Sequence, residues 1–275
     1  MVWGVTFVLV KGALAEISPL LFNAVRMALA ALSLLLIFHR ELRRMEPAAL
    51  RVGATAGILL WIGYEFQTTG LKLTTASKSA FLTGVSVVLV PVFQAIGWRR
   101  MTNRWTTAGV CAAFAGLYLL AVPAARGSGL DLGGINRGDL LTLGCAVAFA
   151  LQVIAMGWAT TKYPFQQIAA VEVTICAGLM LGTTPLLETT YAVWSSQVIW
   201  SILITSLLAT GLAFTIQAWA QQFTPPAHTA LIFALEPVFA SIMSYLVLNE
   251  RLGMRATLGA MLILSGVLTS DASSS

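Results

Sequence analysis

Residues 226–248 read PAHTALIFALEPVFASIMSYLVL, a stretch in which Glu236 is the one formally charged side chain. As an α-helix this stretch is about 35 Å long at 1.5 Å per residue, which is enough to cross the roughly 30 Å hydrocarbon core of a bilayer. Residues 76–98 read ASKSAFLTGVSVVLVPVFQAIGW, a second apolar stretch of the same length with Lys78 near its start. Both stretches therefore predict membrane-spanning helices.

The composition of the whole chain agrees with a membrane protein. Of 275 residues, 58% are hydrophobic and 10% are charged, whereas about 25% of the residues of a soluble domain are charged. The mean hydropathy is +0.85. The net charge of +5 comes from Lys and Arg in short loops between apolar runs, which is typical of topology signals rather than of a nucleic-acid-binding patch. Ten spans of about 20 residues leave about eight residues per loop, so there is no room for a soluble catalytic domain.

Ten apolar segments follow one another along the chain, separated by short polar breaks. They are Met1–Leu14, Pro19–Phe38, Ala48–Gly70, Ala76–Trp98, Trp105–Val122, Asp139–Thr160, Phe165–Pro185, Gln197–Gln221, Pro226–Leu248 and Leu252–Ser270. The first segment is too short to cross a bilayer and lacks the basic start of a signal peptide. We therefore expect the first helix to begin upstream of Met1.

The second half of the chain repeats the first with an offset of 150 residues. Identical pairs at this offset include Thr74 and Thr224, Ala80 and Ala230, Val88 and Val238, Thr107 and Thr257, Gly109 and Gly259, and Gly116 and Gly266. The glycines of each half are seven residues apart, which places them on one helix face and favours close helix packing. Because the repeat contains an odd number of spans, its second copy enters the membrane upside down. We predict an all-α polytopic membrane protein with ten transmembrane helices in two inverted five-helix repeats, residues 1–125 and 137–275.

The charges of the loops predict the orientation. The loops after segments two and four carry Arg40, Arg43, Arg44, Arg51, Arg99, Arg100 and Arg104. Their counterparts in the second half carry only Arg251 and Arg255, together with Glu188 and Glu250. Since basic loops stay in the cytoplasm, we predict a multi-pass protein of the bacterial inner membrane with both termini cytoplasmic.

Four charges lie inside apolar segments: Arg26, Glu65, Glu172 and Glu236. Each would cost about 2.5–3.5 kcal/mol at the centre of a lipid-facing helix, so all four are expected to face the protein interior. Arg26 and Glu65 are interpreted as a structural ion pair or, alternatively, as part of a substrate-carboxylate site. Glu236 is the deepest in its segment, and is either a hydrogen-bond acceptor in helix packing or a proton carrier.

Two prolines stand in the middle of segments that are repeat counterparts, Pro91 and Pro237. Each removes a backbone hydrogen bond, to the carbonyl oxygens of Val87 and Phe233, and is expected to kink its helix. Paired interrupted helices in two repeats are typical of a transport site, so we predict that both prolines act as hinges. The alternative is that they bend the helices for packing only.

Polar and aromatic side chains within the segments are the candidates for a substrate cavity. They are Thr6, Trp61, Tyr64, Ser79, Thr83, Ser86, Gln152, Trp158, Gln217, Phe233, Glu236, Ser241 and Tyr245. Lys11 and Lys78 lie near the outer ends of their segments and are expected to snorkel towards the lipid headgroups. The three cysteines and two histidines have no metal-ligand spacing and no catalytic motif is present, so we predict neither an enzyme, a cofactor nor a metal site.

The motifs resemble those of a known transporter family. They are Trp3-Gly4-x-x-Phe7-x-x-x-Lys11 with Pro19 and Arg26, Thr75-Ala76-Ser77-Lys78-Ser79-Ala80-Phe81-Leu82, Leu235-Glu236-Pro237-Val238-Phe239-Ala240, and Asn249-Glu250-Arg251-Leu252 with Gly259 and Gly266. As a set they resemble the EamA family of the drug/metabolite transporter superfamily. The resemblance implies ten helices in an inverted five-plus-five repeat that export small metabolites. Residues 72–91 are most similar to the aromatic amino acid exporter branch. Small relatives in the superfamily carry a drug- and proton-binding glutamate in the first helix, and no residue here matches it.

These features together predict an inner-membrane exporter of small metabolites, with amino acids that have apolar or aromatic side chains as substrates. It would work by alternating access through a central cavity, and we favour facilitated diffusion over proton coupling. The alternatives are a sugar-phosphate or other organic-anion exchanger and an intramembrane enzyme. We expect the small-molecule substrate and the lipid bilayer as partners, no nucleic acid, and a monomer.

Overall fold

The computed structural model describes residues 9–10, 12–74, 76–99, 101–121, 136–248 and 253–271. Its α-helices are α1 (Pro19–Ile37), α2 (His39–Leu42), α3 (Pro47–Leu71), α4 (Ala76–Gly84), α5 (Ser86–Trp98), α6 (Arg104–Ala121), α7 (Arg137–Thr160), α8 (Phe165–Leu187), α9 (Ser196–Ile204), α10 (Ala213–Ala220), α11 (Pro226–Phe233), α12 (Glu236–Leu248) and α13 (Met254–Asp271). Apolar runs become helices in a bilayer because a helix satisfies its own backbone hydrogen bonds without water.

The helical stretches agree with the predicted segments. From the second segment onward, the predicted and observed bounds differ by at most two residues. Seven of the described helical stretches are long and apolar enough to cross a membrane. The chain is therefore a helical, polytopic membrane protein, while the number of ten spans stays a prediction.

The helices pack into two compact units, and each unit combines segments from both halves of the sequence. Unit A comprises the described residues up to Glu65 together with Ala155–Thr224, and unit B comprises the described residues of Phe66–Ile154 and those from Pro225 onward. Each of the two predicted repeats therefore contributes helices to both units.

In unit B, α6 and α13 pack against each other through glycines. A Cβ atom built on Gly116 would lie 2.5 Å from the carbonyl oxygen of Gly259, and one on Gly266 would lie 2.5 Å from that of Gly109. The backbones therefore touch at both positions, which the seven-residue spacing of the glycines favours. The buried residues around this contact are Val110, Ala113, Leu117 and Ile263.

In unit A, hydrogen bonds join one end of α8 to α1 and the other end to α2. Glu188, which follows α8, accepts a hydrogen bond of 2.8 Å from the backbone N–H of Leu20, so its charge caps the first turn of α1. At the other end of α8, Gln167 donates from Nε2 to the backbone oxygen of Glu41 over 2.9 Å. Glu41, in α2, and Glu188, directly after α8, therefore lie at opposite ends of α8.

Two of the predicted spans are interrupted. One interruption separates α4 from α5 at Val85, and the other separates α11 from α12 at residues 234–235. The second falls directly before Pro237, whose ring cannot donate to the Phe233 carbonyl. Pro91 instead lies inside α5. The first interruption is more than one turn before Pro91, so this proline does not set its position.

Thr205–Leu212, between α9 and α10, forms a π-helix. The N–H of Ala213 bonds to the oxygen of Leu208, five residues earlier. Thr205, Ser206 and Thr210 are buried in this stretch. Thr205 and Ser206 donate their hydroxyls to backbone oxygens of α9, and Thr210 donates to the backbone oxygen of Thr205. Nothing in the hydropathy pattern predicted the stretch. Such π-helical turns are frequent at functional sites.

Candidate functional site

Three of the four charges predicted to face the interior lie in unit A, on α1 and α8 and within residues 47–65 of α3. Arg26 is 8% exposed, Glu65 is 5% exposed and Glu172 is fully buried. Arg26 and Glu65 are brought near each other through Tyr64, which contacts Arg26 and directly precedes Glu65 in the chain. Ionisable groups at membrane depth are costly, and they commonly mark substrate or ion pathways.

Arg26 lies against an aromatic ring. The carbon at the centre of its guanidinium is 5.2 Å from the centroid of the Tyr64 ring, within the range of a cation–π interaction. Its Nε is buried and has no hydrogen-bond partner among the described residues. An unsatisfied donor in a dry interior is destabilising, so this guanidinium is suited to an additional acceptor.

A relay of side chains orients the carboxylate of Glu65. Thr183 on α8 donates its hydroxyl to Glu65 Oε1 over 3.0 Å. The same hydroxyl oxygen accepts a hydrogen bond of 3.2 Å from Trp61 Nε1. Trp61 was predicted as a cavity residue, whereas Thr183 was missed. The signal that could have found it is a pair of threonines, Thr183 and Thr184, near the end of an otherwise apolar run.

The other candidates in unit A have different surroundings. Gln217 is buried and donates from Nε2 to Gln221 Oε1 over 3.2 Å. Trp158 is exposed, and Lys162 places its Nζ 4.1 Å from the ring centroid. Thr6 lies outside the described residues.

In unit B, the structure places the predicted cavity residues at several depths. Ser79 and Gln152 are buried, whereas Glu236 and Tyr245 are exposed. Thr83 contacts the sulfur of Cys145 at 3.9 Å. Ser241 donates to the backbone oxygen of Pro237 over 2.8 Å. The last two candidates, Ser86 and Phe233, are half-buried. Glu236, the carboxyl nearest the middle of its apolar segment, is exposed, whereas Glu172 is fully buried. The position of a carboxyl within its segment therefore did not predict how deeply the folded protein buries it.

Lys78 in unit B does not extend freely to the headgroups. Its Nζ lies 2.6 Å from Asp139 Oδ2, and its side chain is 19% exposed. Asp139 also accepts from the Thr74 hydroxyl over 2.7 Å. Asn136 and Asp139 exchange side-chain to backbone hydrogen bonds of 2.8 and 3.1 Å, which is a capping box at the start of α7. The ammonium of Lys78 therefore has a buried carboxylate as its partner, which the snorkelling interpretation did not include.

The comparisons with known proteins agree with a transporter. The sequence model of the EamA-like transporter family matches residues 1–122 and 136–270. A protein of Archaeoglobus fulgidus named Uncharacterized transporter is 33% identical, over 98% of this chain and 82% of its own length. Uncharacterized transporter YoaV of Bacillus subtilis is 25% identical, over 97% of this chain and 92% of its own length. A crystal structure shares the fold with a TM-score of 0.82 at 16% identity, covering 98% of this chain and 93% of that chain. The chain therefore belongs to the EamA-like transporter family.

Proposed function

We propose that this membrane transporter exports small metabolites across the bacterial inner membrane, with amino acids that have apolar or aromatic side chains as its substrates. The substrate class comes from the resemblance of residues 72–91 to the aromatic amino acid exporter branch. The mechanism is alternating access, in which the substrate site opens to one side of the membrane at a time. The observation that carries this mechanism is a symmetry between the two halves of the sequence.

The glycine contact of α6 and α13 supports an inverted repeat. Gly109 and Gly259 are repeat counterparts, and so are Gly116 and Gly266. In the contact, Gly109 meets Gly266 and Gly116 meets Gly259, so each glycine touches the counterpart of the other. A two-fold axis requires this exchange of partners. Such an axis in the membrane plane relates two repeats of five spans each.

The interrupted helices support the same proposal. With the offset of 150 residues, Val85 is the counterpart of Leu235, and these positions are the interruptions between α4 and α5 and between α11 and α12. Corresponding breaks in the two halves are the sequence feature that most often indicates a transport site. We therefore propose that both broken helices change their bend during transport.

We expect the double variant Pro91→Ala with Pro237→Ala to slow transport by about tenfold, which corresponds to about 1.4 kcal/mol in the barrier. Restored backbone hydrogen bonds would stiffen α5 at Val87 and would bridge the break between α11 and α12 at Phe233. Initial flux in liposomes, divided by the amount of folded protein, measures this effect. Pro185→Ala is the control, since Pro185 lies inside α8. Unchanged flux in the double variant would leave both prolines as packing features.

The orientation has a direct test. In a background with Cys111, Cys145 and Cys176 replaced by serine, a cysteine at Thr189 should react with an impermeant thiol reagent added to intact cells. A cysteine at Arg43 should react only after permeabilisation, because we propose that its loop is cytoplasmic. Equal reaction at both positions in intact cells would contradict the proposed topology.

Substrate class and coupling can be measured together in liposomes that contain the purified protein. A panel of labelled amino acids, sugar phosphates and dicarboxylates is tested with and without a pH gradient. We expect flux of the aromatic and apolar amino acids, with little effect of the gradient. Exchange of phosphorylated sugars without amino acid flux would favour the organic-anion exchanger instead.

A further inference from the structure

We propose that Arg26, Tyr64 and Glu65 in unit A form a recognition site for the zwitterion of an α-amino acid. Arg26 binds the substrate carboxylate and Glu65 binds the substrate ammonium. The inference rests on the proposed function and names the residues that would define its substrate class.

The carboxylate half of the site is Arg26. A guanidinium is planar and presents its donors in a fork that matches a carboxylate. Here the Tyr64 ring, 5.2 Å away, holds the guanidinium on one face. The buried Nε has no hydrogen-bond partner in the described part of the chain, although the side chain is only 8% exposed. A substrate carboxylate would satisfy this donor.

The ammonium half of the site is Glu65. It follows Tyr64 in the chain, and Trp61 precedes it by four residues, so Trp61 and Glu65 share one face of α3. The Thr183 hydroxyl, which in turn accepts from Trp61, holds one carboxylate oxygen. This anchoring fixes the direction of the negative charge before a ligand arrives, which reduces the entropy lost on binding.

The two opposite charges together define the selectivity. Arg26 lies against the Tyr64 ring and Glu65 is the next residue in the chain, so a ligand bound at one charge lies within the electrostatic reach of the other. A monocarboxylate without an amine would be repelled by Glu65, and an amine without a carboxylate would be repelled by Arg26. A site excludes competitors in this way by leaving their charge unpaired. The rings of Trp61 and Tyr64 offer an apolar surface for an aromatic side chain.

The test uses three compounds with the same phenyl ring and two-carbon chain: phenylalanine carries both the carboxylate and the ammonium, 3-phenylpropionate only the carboxylate, and phenethylamine only the ammonium. Binding to the purified full chain in detergent is measured by ligand-induced thermal stabilisation, and flux of phenylalanine is measured in liposomes. We expect the wild-type protein to prefer phenylalanine over each analogue by at least about tenfold, since each analogue leaves one charge unpaired.

The variants separate the two roles. Arg26→Gln should weaken phenylalanine binding by about tenfold or more, because it removes the partner of the substrate carboxylate. Glu65→Gln should bring the affinity for 3-phenylpropionate to within about threefold of the affinity for phenylalanine, because it removes the partner of the substrate ammonium. Arg255→Gln is the matched control, because Arg255 also lies over a tyrosine, 5.4 Å from the Tyr118 ring centroid, and its Nε likewise has no hydrogen-bond partner among the described residues. It should leave all three affinities unchanged. Where a neutral variant does not fold, Arg26→Lys and Glu65→Asp replace it, and we expect a smaller change in the same direction.

The outcomes distinguish this site from the proposed function. Selectivity that is unchanged in the Glu65 variants, or phenylalanine binding that is unchanged in the Arg26 variants, overturns the site. Absence of binding of all three compounds to the wild-type protein overturns it as well. Binding that depends on both residues without flux in liposomes supports the site and contradicts amino acid export. If the wild-type protein transports phenylalanine and the Arg26 and Glu65 variants bind and transport it equally well, the site is contradicted. The proposed export of amino acids would still hold.

Discussion

Valine in place of Gly116 will destabilise the protein by about 3 kcal/mol, because the added carbon atoms overpack a backbone contact. The new Cβ would lie 2.5 Å from the Gly259 oxygen and 2.7 Å from Cγ1 of Ile263. A backbone oxygen cannot rotate away as a side chain can, so α6 and α13 must separate. The fraction of protein that stays folded on heating in detergent measures the effect.

Gly178 is the control for this prediction. It lies inside α8, and a Cβ at this position meets no atom within 4 Å, so Gly178→Val should have little effect on the unfolding temperature. We also expect the double variant Gly116→Ala with Gly259→Ala to lose less unfolding free energy than the two single variants lose in sum, since one displacement of the helices accommodates both added methyl groups. Equal stability of the Gly116 and Gly178 variants would show that the helices are not in backbone contact.

Alanine in place of Asp139 will destabilise the protein by about 3–5 kcal/mol, the usual cost of removing one partner from a buried ion pair. Asp139 is 2% exposed, and the change leaves the Lys78 ammonium without its carboxylate. The Thr74 hydroxyl and the Asn136 N–H lose an acceptor as well. The unfolding temperature in detergent measures the loss, and Asp271→Ala, at an exposed aspartate, is the control.

A double-mutant cycle separates the ion pair from the capping of α7. Lys78→Met alone should reduce the free energy of unfolding by less than Asp139→Ala does, because the capping box of Asn136 and Asp139 is retained. The double variant should be more stable than the two single effects predict, because no unpaired charge remains. Strictly additive effects would show that the ammonium and the carboxylate do not interact.

The hydropathy pattern predicted the helices well because membrane insertion is decided locally. Each apolar run needs about the length of the hydrocarbon core, so its ends can be found without knowledge of its neighbours. The close contact of Gly109 and Gly116 with another helix was predictable for a similar reason, since spacing along one helix defines a face.

Partners across the chain could not be predicted in this way. Lys78 and Asp139 are far apart in sequence, and only the folded chain shows that the ammonium finds a carboxylate rather than the headgroups. The same holds for Thr183 and Glu65. The break at Val85 was missed because the local rule places a kink close to a proline, whereas Pro91 lies inside a continuous α5.

The π-helical stretch Thr205–Leu212 bears on how this span tolerates changes of length during evolution. Deleting one residue from an α-helix rotates every later side chain by about 100° around the axis, because each turn contains 3.6 residues. A π turn contains an additional residue, since its hydrogen bonds reach five positions back. Loss of one residue here would convert the stretch to a regular α-helix. The buried and exposed faces of α9 and α10 would then keep their present orientations. A relative that is one residue shorter in this span would therefore conserve the pattern of buried positions on both sides of the deletion.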